Sequence, residues 1–147
     1  MTRQWVLLLP WHRPPYTLND RYGKWEAHRI RTDIRDVTAQ VLGSSVPRGV
    51  GPLTAELVWY PGNDKVADSD NIAPTLKHCL DALKLRGIVP DDNPKHVVRT
   101  MQRVVPRSLD PHGRKIPELF LVLTECAHAD MPHYLPGSEV GKIVTAS

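Results

Sequence analysis

Apolar positions recur along this chain in two periods. Gln4 to Pro10 (QWVLLLP) is a short leucine-rich run closed by proline, and Leu53 to Tyr60 (LTAELVWY) alternates apolar with polar residues, so both predict strands. Val97 to Val105 and Ile116 to Thr124 read the same way on either side of the turn sequence Asp110-Pro111-His112-Gly113, and a hairpin is expected there. Trp25 to Leu42 instead carries Ile30, Ile34, Val37 and Val41 on one helical face. A second helix is expected after Asp68-Ser69-Asp70-Asn71. Its buried stripe is Ile72, Leu76, Cys79, Leu80 and Leu83, Pro74 falls in the first turn where its missing N–H costs nothing, and Asp70 or Asn71 is available as a cap. Gly87 ends that helix and Pro90 prevents its resumption. Together these elements predict an α+β fold, a small mixed β-sheet of four or five strands packed with two main helices. Strand order is not legible at this level.

The 147 residues suit one domain with a single modest core. Residues 1–126 are expected to form it. From Ala127 onward Gly, Pro and Ser return and the periodicity is lost, so 127–147 is expected to be a loosely held tail. No long apolar run and no charged-then-apolar leader are present, which predicts neither a membrane span nor a secretory signal and makes a cytoplasmic setting the default. Cys79 in a helix stripe and Cys126 at a strand end read as small hydrophobes rather than as a disulfide. Cys126, His128, Asp130 and His133 invite zinc, but their spacing fits no standard finger.

Charge changes the picture more than composition does. The net charge is only +3, yet six acids, all aspartate, fall between Asp64 and Asp92, and the remainder of the chain holds fifteen basic residues against ten acidic ones. Arg21, Lys24, Arg29, Arg31 and Arg35 make a basic rim before and along the first helix, partly offset by Asp33 and Asp36. A second basic run, Lys95, Arg99, Arg103, Arg107, Arg114 and Lys115, faces one acid, Asp110. A solvated, salt-paired surface and a phosphate-gripping one are both consistent with these runs.

The aspartates carry the candidate chemistry. Asp68 and Asp70, two apart in an extended segment, point to one side, so one cation could meet both. Lys77 and Asp81 lie one helical turn apart and can pair, while Asp91 and Asp92 arrive on the return path. Two carboxylates ~4 Å apart repel by ~4 kcal/mol at an effective dielectric near ~20, and a third requires a cation or a proton. Oxygen ligation without His or Cys favours Mg²⁺ or Mn²⁺ over zinc. Each acid taken alone has a structural reading as a cap or a turn residue.

The ordered set Asp68-Ser69-Asp70-Asn71, Lys77, Asp81-Ala82-Leu83, Gly87 and Asp91-Asp92 resembles the RusA family of Holliday junction resolvases, with the segment between Asn71 and Lys77 longer than in bacterial members. Leu9-Pro10-Trp11, Pro14-Pro15, Asn19 and Arg21 resemble the family's opening strand and polar loop. The resemblance implies a Mg²⁺-dependent endodeoxyribonuclease, with Mn²⁺ able to substitute, that nicks four-way junctions symmetrically in DNA recombination and repair. It implies Asp68, Asp70 and Asp92 as metal-binding catalytic carboxylates and Lys77 as the lysine beside them. Asn19, Arg21, Lys24, Arg29, Arg31, Arg99, Arg103 and Arg107 are the expected DNA contacts. Paired nicks by one site per subunit imply a homodimer, in a bacterial or phage-infected cytoplasm, with no membrane partner. Two other classes remain: a non-cleaving branched-DNA-binding module whose acids cap and turn, and a Mg²⁺-dependent phosphatase or sugar transferase built on Asp68-x-Asp70. Asp81 and Asp91 are left open between site and structural roles.

Overall fold

The computed structural model describes residues 2–65 and 67–127. The expected tail therefore lies, from residue 128 on, outside the described residues, as do His128, Asp130 and His133.

Four strands and two helices follow in the order β1 (Gln4–Leu9), α1 (Lys24–Leu42), β2 (Leu53–Tyr60), α2 (Ala73–Leu85), β3 (Val97–Val104) and β4 (Glu118–Glu125), with short 3₁₀ turns at Ser69–Ile72 and Arg107–Leu109. The sheet order is β1-β4-β2-β3. β4 is antiparallel to both of its neighbours and β3 is parallel to β2, so the sheet is mixed and the α+β expectation holds with four strands. Both helices cover one face. Leu7 and Leu9, Leu53, Ala55 and Leu57, and Leu119, Leu121 and Leu123 point into one core with Ile34 and Leu42 of α1 and Leu76, Cys79, Leu80 and Leu83 of α2.

Three expectations need correction. The hairpin between the third and fourth strands does not form, because β2 lies between them and pairs with both. Its apolar alternation is that of a central strand, and the connection 105–117 is too long for a hairpin loop, commonly about 2–5 residues. That connection crosses the end of β2 instead: Ser108 N–H donates to Asp64 Oδ1 at 2.7 Å, and Arg107 N–H to the Asn63 carbonyl at 3.0 Å.

The buried face of α1 is centred on Ala27, Ile34, Thr38, Ala39 and Leu42, with Ile30 and Val41 at its margin and Val37 only half-buried. Small residues let the helices approach closely. At their seam the Thr38 hydroxyl donates to Cys79 Sγ at 3.6 Å.

Neither Asp70 nor Asn71 caps α2. The helix begins at Ala73, its cap position is Ile72, and no side chain bonds its first turn. Proline in the opening turn and the stacked 3₁₀ turn meet the need instead. At the other end the expected glycine stop is present: Gly87 has φ +69, its N–H donates to the Lys84 carbonyl, and Ile88 N–H donates to the Leu83 carbonyl, each at 3.0 Å. This is a Schellman closure, with buried Ile88 packing back on the helix.

Candidate metal and nucleic-acid site

The segment between β1 and α1 is braced before it is placed. Arg13 holds Asp20 at 3.2 Å and Thr17 N–H donates to Asp20 Oδ2 at 2.9 Å. Burial would raise the Asp20 carboxyl, but these donors outweigh it and hold its pKa below the usual carboxylate value. Arg21 donates to the Leu18 carbonyl at 2.9 Å. The braced loop is then fixed to the next element: Leu18 N–H donates to the Asn71 carbonyl at 2.9 Å, and the Thr75 hydroxyl donates to the Tyr16 carbonyl at 2.6 Å. Asn19 is thereby presented to the turn that carries the aspartates.

Between them lies a cleft of about 360 Å³ lined by Leu18, Asn19, Ala67, Asp68, Asp70 and Asn71. Asp68 is extended (φ −67, ψ 136) and Asp70 sits in the 3₁₀ turn, so the two carboxylates share the cleft through a turn, not through the extended segment expected. Both are exposed, and among the described residues neither carboxylate has an ion pair or a side-chain hydrogen bond. The acids are therefore not spent on capping. Asp68 and Asp70, with the side-chain oxygens that Asn19 and Asn71 can offer, make a set without His or Cys, which suits a hard divalent cation that keeps several of its waters and takes one or two carboxylates.

Asp92 does not line that cleft. Among the described residues no three His, Cys, Asp or Glu side chains gather closely enough to hold a metal, so a preformed three-carboxylate cage is not present. What the fold does arrange is a common edge. The Ser69–Ile72 turn packs against β3, and the loop bearing Asp92 feeds that same strand, with His96 and Val97 N–H both donating to the Asn93 carbonyl at 2.9 Å.

Asp91 is the structural member of its pair. It accepts from Asp92 N–H at 2.8 Å and from Asn93 at 3.2 Å, and it stands 3.7 Å from Lys84. The Asp92 N–H, foremost, holds its carboxyl below the ordinary range. Asp92 itself is exposed.

The expected Lys77–Asp81 pair is not made. His78 Nδ1 lies 3.2 Å from Asp81 Oδ2, with the Tyr16 ring centroid 6.0 Å from the imidazole, and Lys77 is exposed. Lys77 and Lys84, seven apart on α2, share one face, and Lys84 reaches Asp91. Lys77 thus stands between the turn bearing Asp70 and the loop bearing Asp92, one to two turns from each helix end.

The expected DNA contacts divide among surfaces. Asn19 lies in the aspartate cleft, Arg21 braces the loop, and Lys24 lies over the Trp25 ring at 5.9 Å. Arg29 and Arg31 are exposed on α1. Arg99 and Arg103 are on the sheet face away from the helices, lining a hollow of about 550 Å³ with Val6, Val58, Phe120 and Val122, and Arg103 pairs with Glu56 at 3.1 Å. Arg107 is exposed beside Asp64.

Arg114 drops out of the phosphate-gripping set: it bonds buried Asp110 at 2.8 Å, pairs with Glu118 at 3.4 Å, and stacks 4.0 Å from the Tyr60 ring centroid. Sequence reasoning missed Leu18 as a cleft wall and Asn71 as a cleft amide; the Asp-Asn dipeptide was the only signal for the second. No family model and no curated protein matches the chain.

Proposed function

We propose that this protein is a divalent-metal-dependent endodeoxyribonuclease acting on branched DNA, as the RusA family does that its motifs resemble. One observation carries the reading: two carboxylates unengaged among the described residues share a cleft with Asn19 and Asn71, on a loop and turn joined by the Leu18 N–H to Asn71 carbonyl bond. Asp68 and Asp70 would hold the cation, and the Asn19 and Asn71 amides would orient a water or a phosphate oxygen beside it. Bound there, Mg²⁺ or Mn²⁺ lowers the pKa of a coordinated water and stabilises charge on the leaving oxygen. Lys77 would add positive charge on the substrate side. Asp92 belongs to this reading by resemblance and by its place on the same sheet edge. Symmetric nicking of a four-way junction requires a two-fold homodimer. A cytoplasmic setting in a bacterium or phage-infected cell completes the proposal; no helix among the described residues is long and apolar enough to cross a membrane.

A second reading, binding branched DNA without cutting it, rests on the exposed arginines Arg29 and Arg31 of α1 and Arg107, whose contacts to phosphate need no metal. Synthetic four-way junction and linear duplex, each with Mg²⁺ or EDTA, separate the two: paired junction nicks that need the metal support cleavage, and retention without nicks supports binding alone. Asp70→Asn should lower cleavage at least ~100-fold, the effect of losing ~2.7 kcal/mol at the transition state, while junction binding in EDTA is kept. Cleavage by Asp70→Asn at the wild-type rate would falsify the assignment. Independently of activity, Mn²⁺ should broaden the side-chain amide NMR signals of Asn19 and Asn71 before those of other asparagines.

A further inference from the structure

On the outer seam of the two helices is a second polar groove, of about 250 Å³, lined by His28, Arg31, Thr32, Arg35, His78 and Asp81. The first four fall at positions i, i+3, i+4 and i+7 of α1, so they form one stripe, and His78 and Asp81 face them from α2 at i and i+3. Among the described residues the donors are largely uncommitted. Arg31 uses only Nε, on the Ala27 carbonyl at 3.2 Å, and Arg35 uses only Nε, on Asp36 at 2.9 Å, which leaves the terminal nitrogens of both guanidinium groups. His78 engages Asp81 through Nδ1 at 3.2 Å, leaving its other nitrogen, and that contact occupies the one acid that lines the groove among the described residues. Two guanidinium forks, a hydroxyl and two imidazoles thus converge on one hollow, a donor set matched to the several acceptor oxygens of a phosphate.

We infer that this groove is a phosphodiester-binding subsite for nucleic-acid backbone, separate from the aspartate cleft. Its placement fits the proposed function, on which the choice of nucleic acid rests. The loop that presents Asn19 to the cleft also packs Tyr16 against His78, with Tyr22 edge-on to Tyr16 at 5.5 Å, so cleft and groove flank one braced loop. A strand crossing that loop from the cleft would have the groove on its other side. Of the expected contacts on this side, Arg31 lines it and Arg21, Lys24 and Arg29 do not, whereas His28, Thr32, Arg35 and His78, none of them among the expected contacts, do.

The test uses the whole protein in EDTA, so that binding is read without cleavage. Fluorescence anisotropy with a labelled four-way junction should show the double variant Arg31→Gln, Arg35→Gln binding about 10- to 100-fold more weakly, with a salt slope shallower by about 2. Asp81→Asn, which removes the groove's acid, should tighten binding several-fold, a change of sign that general damage to the helices does not produce. In parallel, the ring NMR signals of His28 and His78 should shift on adding junction DNA. Unchanged affinity and slope in the double variant, or unmoved His signals, overturn the subsite while leaving metal-dependent cleavage standing. Loss of cleavage in Asp70→Asn alongside these expected shifts supports both. If wild-type protein binds no DNA, titration with inorganic phosphate decides: shifts confined to His28 and His78 keep the anion site without its nucleic acid and overturn the nuclease, and no shift overturns the site as well.

Discussion

Gly62 shows how closely single residues are constrained around the site's support. Its φ is +78, and a Cβ there would meet the Lys115 carbonyl oxygen at 2.5 Å, where the 105–117 connection crosses the end of β2. Gly62→Ala must therefore strain the backbone and displace that crossing, at about 1–3 kcal/mol or more, seen as a lower urea midpoint. Cys79 is the opposite case, a residue whose chemistry is silenced by its position. Burial pushes its thiol up to about 12, with the Thr38 hydroxyl acting only weakly against that. Because the thiolate is the reactive form, a Cys126→Ser variant should give no reaction with a disulfide reagent at pH 8 until denaturant is added. Rapid labelling of native protein would place Cys79 somewhere other than in the seam between the helices.

At the scale of elements, α2 links the two acidic segments. It begins directly after the turn bearing Asp70 and ends at the closure that leads to Asp91 and Asp92. Leu83 is fully buried in it, and its carbonyl receives the closing bond from Ile88. Leu83→Ala should cost about 2–5 kcal/mol, measured by urea unfolding, and, on the proposed function, should lower junction cleavage through the loosened end of the helix while leaving Asp68 and Asp70 in place. The stripe that this residue belongs to was legible in the sequence, because a helical period is a local property. So were the bounds of β2 and the glycine stop. The β3–β4 hairpin was misread because strand pairing depends on what lies between, and a turn sequence says nothing of β2 entering the gap. The face of α1 was read one step off because alanine and threonine, which permit close helix contact, carry weak hydrophobic signals. For the site, Asp68 and Asp70 could be grouped from spacing, and Asn19 only from resemblance. Its real partners, Leu18 and Asn71, meet across some fifty residues of chain. His28 and His78 were invisible as a pair for the same reason.

The whole molecule is an asymmetric pair of layers, with helices on one face of the sheet and an open hollow on the other, tied by carboxylates at its turns and edges. Five of these sit below their ordinary pKa for local reasons. Asp64 is held by the Ser108 N–H, Asp91 by the Asp92 N–H and Glu125 by the Arg3 side chain at 2.6 Å. For Asp20 and Asp110 burial acts in the opposite direction, but backbone N–H groups and an arginine outweigh it. A carboxyl with a depressed folded pKa binds its proton more readily in the unfolded chain. Each therefore contributes stability that is fully present above its ordinary value, 4.5 for Glu125 and 3.8 for the aspartates, and that is lost as pH falls through the lower folded value. The urea midpoint should accordingly be little changed between pH 7 and pH 5 and fall steeply from pH 4 to pH 3 (~1 unit on either side of the carboxylate range). Asp110→Asn should start from a lower midpoint, because the bonds to Arg114 and the His112 N–H are weakened, and should lose less on acidification, because one titrating group is gone. A variant that loses as much as the wild type between pH 5 and pH 3 would show that the Asp110–Arg114 knot at the end of β2 does not share in the acid response.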